Sequence, residues 1–204
     1  MRRRRLIQTA AIALGLTPLA GLAATAAFGR LGANPIEEIT HLTGDFALRW
    51  LLVALAVTPL RRQFRWRWIA PLRRTFGLLA FLYATLHFFT WLGLDQFFEW
   101  EAIVEDVQER RYVLAGLVAF SCLVPLAITS TRGMVRRLGR RWKTLHRLVF
   151  VAAIAALVHY SWLVKADLEP ALAHGAVLAL LLSHRVWWHL SGREGRLRAE
   201  PVVR

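Results

Sequence analysis

Three stretches without a single charged residue govern what this chain can become: positions 6–29, 75–94 and 112–131, with 24, 20 and 20 residues respectively. About 20 uncharged, mainly apolar residues is the length that carries a helix across a roughly 30 Å hydrocarbon core. In lipid every backbone N–H and C=O must be satisfied within the segment, so such runs fold as helices. Less clean apolar stretches complete six expected spans at about 6–28, 41–60, 75–94, 112–130, 146–164 and 170–190. The expected fold is an all-α integral membrane six-helix bundle, one domain over residues 1–204, with no internal repeat. A soluble enzyme, a disordered tail and a secreted disulfide scaffold are excluded. The single cysteine, Cys122, has no partner for a disulfide and cannot hold a Cys-ligated cluster.

A net charge of +14 invites a nucleic-acid reading, but its placement says otherwise. Segments 2–5, 61–74, 132–147 and 185–204 hold 22 of the 27 Lys and Arg and only two acids, Glu194 and Glu200. The alternate segments hold 11 of the 13 acids, including Glu99, Glu101, Glu105, Asp106 and Glu109. Cationic loops stay cytoplasmic, so both termini are expected inside. The basic balance is then topology and attraction to anionic lipid, and no nucleic-acid partner is expected. The first span, preceded by four arginines and ending Ala-rich, also reads as a signal peptide; its uncharged run is longer than the usual core of about 7–15 residues, which favours retention. In the second span Asp45 and Arg49 sit one turn apart and can pair on one face. Trp66, Trp68, Trp142, Trp187 and Trp188 read as interfacial anchors. The longest loop, 95–111, is amphipathic, and Phe97, Phe98, Trp100 and Ile103 are expected on the outer membrane surface.

Chemistry has to come from the histidines. No phosphate-binding glycine loop, zinc-protease motif or nucleophile triad is present. His87 lies 13 residues past Arg74 in the third span, and His159 lies 13 residues past His146 in the fifth. These spans run in the same direction, and 13 residues rise about 20 Å. His87 and His159 therefore share one depth, Arg74 and His146 another. Two neutral imidazoles at equal depth on neighbouring helices can bind haem iron from both faces, with the macrocycle between helices. The inner level stays open. Either a haem is bound by His146, with Arg74 pairing a propionate since a guanidinium has no lone pair, or His146 merely caps its span. Thirteen residues of straight helix also turn through about 220°, so Arg74 and His87 do not share a face. Of the others, His41, His174 and His189 read as interfacial groups, and His184 as a group able to approach the inner level.

Several motifs resemble one family. They are RRTFGLLAFLYATLH over 73–87, LAITST over 126–131, LGRRWKTLH over 138–146, HLTGDFALR over 41–49 and LAVTPLR over 55–61. Together they are similar to the haem-binding membrane subunits of the bacterial methionine sulfoxide reductase system, known as MsrQ or YedZ, over roughly 34–190. That family resembles the transmembrane domain of ferric reductases and NADPH oxidases, which hold two stacked haems between the third and fifth spans with two His on each. Here Arg74 stands in the place of one of the four. The resemblance implies a b-type haem on His87 and His159 near the outer face, with His146 the candidate for an inner one, so one or two haems.

It also implies a reaction. Electrons would come from the cytoplasm through a flavin, either an NAD(P)H-dependent flavin reductase or bound FMN, or from quinone. They would cross through haem and pass to a periplasmic molybdopterin subunit of the MsrP type that reduces methionine sulfoxide in envelope proteins, which places the chain in the bacterial inner membrane. Only 14 residues follow Leu190, so no flavin or nicotinamide domain is expected in this chain. An FMN phosphate would meet Arg61, Arg62, Arg132, Arg136, Arg137 or Lys143. The alternatives are a stand-alone ferric or quinone-linked reductase and, in a different class, a histidine-lined transporter.

Overall fold

The structure is a computed structural model describing residues 2–164 and 168–197, with side chains for 5–164 and 168–192. The expected charges at Lys165 and Asp167, and those from Arg198 onward, lie outside the described residues. Among the described residues the regular structure is helical: α1 (Arg2–Ala27), α2 (Pro35–Gln63), α3 (Leu72–Thr90), α4 (Trp100–Glu109), α5 (Arg111–Ile128), α6 (Arg132–Leu138), α7 (Arg140–Leu145), α8 (Leu148–Leu163) and α9 (Glu169–Leu197). Four of the expected spans match α1, α3, α5 and α8 to within about three residues at most ends. The second and sixth match α2 and α9, both 29 residues long.

Local chemistry sets the ends. The Asn34 side chain accepts from the Glu37 backbone N–H at 3.3 Å, Pro35 opens α2, and Glu37 and Glu38 occupy its first turn while Arg61 and Arg62 occupy its last. Acids at the start and cations at the end suit both the cap and the helix dipole. At its far end α3 widens into a π-helical turn, Trp91–Asp95, and Phe97 and Phe98 follow with φ of 49° and 59°. Two successive left-handed residues reverse the chain sharply into α4. At the opposite end Gly139, with φ of 50°, separates α6 from α7, a conformation that glycine adopts without a Cβ clash. The bundle thus has a basic end, carrying residues 61–74 and 132–147, and an acidic end, carrying residues 35–38 and 95–109.

Helices α2 and α3 pack along their length, as do α5 and α8. Leu48, Leu51, Leu52 and Leu55 of α2 meet Ala80 of α3, Leu123 and Leu126 of α5, Ala152 and Ala153 of α8, and Leu178 of α9 in one buried cluster. The three alanines are fully buried, so backbones come close and this level of the bundle is closed. Helix α1 docks on α3, where the fully buried Tyr83 donates its hydroxyl proton to the Gly15 carbonyl at 2.8 Å. Facing outward are Leu14, Leu114, Ile154 and Leu180, exposed by 49–68%. Such a surface is costly in water and at rest in lipid.

Five helical stretches are long and apolar enough to cross a membrane: Arg5–Ala27, Pro35–Gln63, Arg67–Asp95, Arg111–Ile128 and Arg140–Leu163. The chain is a multi-pass membrane protein. Helix α9 has the length, but His174, His184 and Arg185 dilute its apolar run. The intrahelical pair expected in α2 is present, with Arg49 Nη2 at 2.9 Å from Asp45 Oδ2. Trp142, expected as an interfacial anchor, is half-buried and donates Nε1–H to the Thr129 carbonyl at 2.9 Å, tying α7 back to the end of α5.

Candidate functional site

His87 on α3 and His159 on α8 face each other towards the acidic end. The Nδ1 of His87 lies 3.0 Å from the Thr40 carbonyl of α2, and the Nδ1 of His159 lies 2.7 Å from the Tyr112 carbonyl of α5. A carbonyl only accepts, so in each ring Nδ1 must carry the proton, which leaves the Nε2 lone pair for a metal. The ring centroids are 5.9 Å apart and the ring planes differ by 79°. Two metal–nitrogen bonds of about 2.0 Å, with about 1.2 Å from each nitrogen to its ring centre, would separate the centroids by about 6.4 Å. The pair thus stands one metal ion apart to within about 0.5 Å.

Around it lies a cavity of about 920 Å³ between α2, α3, α5 and α8, with both imidazoles in its wall. Cofactor sites commonly occupy about 300–1,000 Å³. Its floor is Leu48, Leu51 and Leu123, the top of the closed core. Phe88 and Phe120, stacked with centroids 4.8 Å apart, join the wall. Two glycines make room for the rings: a Cβ on Gly116 would sit 2.8 Å from His159 Nδ1, and one on Gly44 would sit 3.0 Å from His87 Cε1. Among the described residues no group of three or more His, Cys, Asp or Glu gathers, so the close pair His87 and His159 is the donor set that a metal would meet here. That donor pair, in a largely apolar cavity, fits a tetrapyrrole that supplies the other four nitrogens itself.

The arrangement is a repeat, which corrects the expectation of none. Thr40, Gly44 and His87 recur as Tyr112, Gly116 and His159, each 72 positions on, and each His lies 47 residues after its carbonyl partner. The fully buried Ala80 and Ala152 keep the same offset, as do Arg74 and His146. Helices α2–α3 and α5–α8 are thus two copies of one hairpin-like unit, each presenting an imidazole to the shared cavity. Side-chain identity is largely lost between the copies, so composition hid the relation. The legible traces were LTG at 42–44 against LAG at 114–116 and the two histidines at the same offset.

At the basic end the expected residues do not join this site. Arg74 is exposed on α3, and His146 is half-buried at the turn before α8. The His146 ring stacks on Trp142 at 3.7 Å, with Nδ1 3.1 Å from the Trp142 carbonyl. Neither residue lines the cavity. His41 lies at the cavity mouth, 4.0 Å from Glu37. His174 donates through Nδ1 to the Pro170 carbonyl at 2.6 Å, and His184 Nε2 accepts from Trp188 Nε1 at 3.2 Å. His189 is exposed.

Residues 43–157 match the family model described as ferric reductase like transmembrane component. Full-length relatives agree. The chain is 47% identical over 186 residues to the protein-methionine-sulfoxide reductase heme-binding subunit MsrQ of Herminiimonas arsenicoxydans, covering 90% of this chain and 85% of that one. It is 49% identical over 187 residues to the MsrQ of Rhodospirillum rubrum, covering 90% and 89%. With the MsrQ of Ralstonia nicotianae the identity is 43% over 202 residues, covering 97% and 93%. More than half the chain fits the ferric-reductase-like model, with His87 inside the matched residues and His159 two residues beyond them, and nearly all of it aligns with these proteins: the chain belongs to the MsrQ family of ferric-reductase-like membrane proteins.

Proposed function

We propose that this protein is the haem b-binding electron-transfer subunit of a methionine sulfoxide reductase system, with His87 and His159 as the axial pair. The observation that carries the reading is the facing of two carbonyl-anchored imidazoles, centroids 5.9 Å apart, across a 920 Å³ cavity. Haem, when bound, supplies reversible one-electron chemistry. The chain's own groups do the rest. Thr40 and Tyr112 hold the imidazole orientations and raise their basicity through Nδ1–H. The leucine floor and the stacked phenylalanines exclude water, which tunes the potential through burial.

The membrane frame is part of the proposal. Six crossings, α9 included, with both termini cytoplasmic in the bacterial inner membrane, put the basic end inside and the acidic end outside, as the charge asymmetry favours. Electrons then enter from a cytoplasmic NAD(P)H-dependent flavin reductase, bound FMN or quinone, and leave to a periplasmic molybdopterin subunit of the MsrP type. Arg61, Arg62, Arg132, Arg136, Arg137 and Lys143 would meet a flavin phosphate at the basic end. His146 is the candidate ligand for a second haem, with Arg74 its neighbour in depth, and the whole chain acts as one haem-binding unit. The relatives' name, heme-binding subunit of a protein-methionine-sulfoxide reductase, supports this over a stand-alone ferric reductase or a transporter.

The test is a dithionite-reduced minus oxidised visible spectrum of the purified protein, with haem quantified per chain. Low-spin b-type bands lost in His87→Ala and His159→Ala are the expected result, and His146→Ala decides between one haem and two. A protein that stays colourless when haem is supplied overturns the reading.

A further inference from the structure

Asp106 is the only charged side chain buried in the core among the described residues, 7% exposed. Burying a carboxylate is costly unless it is paired and hydrogen-bonded, so its partners mark what it is there to hold. Oδ2 accepts from Trp91 Nε1 at 2.9 Å, which joins α4 to the π-helical turn four residues beyond His87. Oδ1 accepts from Arg110 Nε at 3.0 Å. Arg110 Nη1 donates in turn to the Tyr112 hydroxyl at 3.3 Å, and the Tyr112 carbonyl anchors His159. One buried carboxylate therefore links both imidazole-bearing units.

The network ends at the cavity mouth. Trp91, Arg110 and Tyr112 all line it, and the other charged side chains in the wall, Glu37, Asp45 and Asp95, are acidic. Among the described residues Arg110 is the one Arg or Lys in that wall. A macrocycle carrying two carboxylates cannot present them to three acids without a counter-charge. A guanidinium has five N–H donors in a planar fork, so Asp106 and Tyr112 leave Arg110 with donors to spare for carboxylate oxygens.

We infer that Arg110 is a cofactor-binding residue that pairs the propionate carboxylates of the haem held by His87 and His159, and that Asp106 is the positioning residue that fixes it there. The inference rests on the haem reading above. Its consequence is electrostatic: Arg110 neutralises propionate charge, and losing it leaves more negative charge beside the iron, which favours the ferric state and lowers the midpoint potential.

The experiment is spectroelectrochemical titration of full-length protein in detergent, with haem per chain measured alongside. Arg110→Gln is expected to keep the low-spin spectrum and shift the midpoint to lower potential, and Arg110→Lys to restore most of the shift. Asp106→Asn separates a positioning role from a mere neighbouring charge: deleting a negative charge alone raises the potential, whereas releasing Arg110 lowers it, and the lowering is expected. Protein reconstituted with the dimethyl ester of haem has no propionate carboxylates to pair, and there Arg110→Gln is expected to leave haem affinity unchanged, whereas with native haem it lowers it. The inference is overturned by an Arg110→Gln potential equal to wild type with native haem, or by a loss of haem affinity of the same size in the diester protein. Wild-type protein that binds no haem overturns instead the haem reading on which it stands.

Discussion

Gly116→Ala is the sharpest probe of the imidazole pair, because it adds one methyl group where the structure has no room and changes no ligand. The new Cβ would meet His159 Nδ1 at 2.8 Å and Cε1 at 3.0 Å, whereas ordinary contact begins near 3.4 Å, so the ring must retreat by about 0.6 Å. It cannot do so freely, since Nδ1 is held 2.7 Å from the Tyr112 carbonyl on the same helix as Gly116. A metal–nitrogen bond of about 2 Å tolerates misplacement of only about 0.5 Å. Disturbing the partner that orients a ligating histidine typically costs about 10–100-fold in metal affinity. The fold itself should hardly notice: replacing a helical glycine by alanine gains up to about 1 kcal/mol of propensity, which offsets the loss of a neutral hydrogen bond worth about 0.5–1.5 kcal/mol. The expected outcome is normal yield and circular dichroism, with haem per chain down at least tenfold at limiting haem or the spectrum shifted to high spin. Gly44→Ala, meeting His87 Cε1 at 3.0 Å, should show the same defect more weakly. Gly77→Ala, with nothing within 4 Å of its Cβ, is the matched control on α3. Gly116→Ala protein with a wild-type low-spin spectrum and haem affinity would refute the placement of His159 as a ligand anchored in this way.

Three further outcomes follow from the same coordinates. Tyr83→Phe removes the 2.8 Å bond to the Gly15 carbonyl that pins α1 to α3, and should lower stability by about 1 kcal/mol, read as a reduced melting temperature in detergent with haem content unchanged. Trp142→Phe keeps the ring that stacks on His146 but loses the donor to the Thr129 carbonyl, and should raise proteolytic cleavage within residues 129–147 without altering the His87–His159 spectrum. In a Cys122→Ser background, Glu105→Cys should react with a membrane-impermeant maleimide added to intact spheroplasts and Arg136→Cys only after lysis. The opposite pattern contradicts the assigned orientation.

The spans were legible because an apolar run long enough for lipid is a one-dimensional property, and α1, α3, α5 and α8 begin and end close to where charge resumes. Equal depth of His87 and His159 followed from rise per residue, and the structure sets their rings 5.9 Å apart. What stayed hidden was written in backbone. The partners that fix each imidazole are carbonyls of Thr40 and Tyr112, and every residue has a carbonyl. Gly44 and Gly116 matter for an atom they lack. Asp106 stood out in no way among the acids of the amphipathic 95–111 loop, because its burial depends on α4 folding back against Trp91, a contact that no local pattern announces. Arg74 was legible in depth but not in direction, and the structure leaves it exposed.

The repeat explains how the bundle would respond to losing its cofactor. Each imidazole bond joins helices within one unit, α3 to α2 or α8 to α5, and needs no haem. Between units the closed core at Leu51, Leu52, Ala80, Ala152 and Ala153 holds the basic half, while the acidic half meets across the cavity through Phe120 seated between Phe81 and Phe88 and through the bonds of Asp106 to Trp91 and Arg110. A ligand bridging His87 to His159 therefore adds its stabilisation at the open end, about 4 kcal/mol if it is present at 1,000 times its Kd. Hydrogen exchange of haem-free and haem-loaded protein should differ in residues 40–47, 84–91, 112–120 and 156–163, with residues 51–55 and 149–153 nearly unchanged. A uniform change along all helices would mean that the cofactor stabilises the whole bundle. No change at all would mean that the open end is already held without it, by the aromatic wedge and the Asp106 bonds.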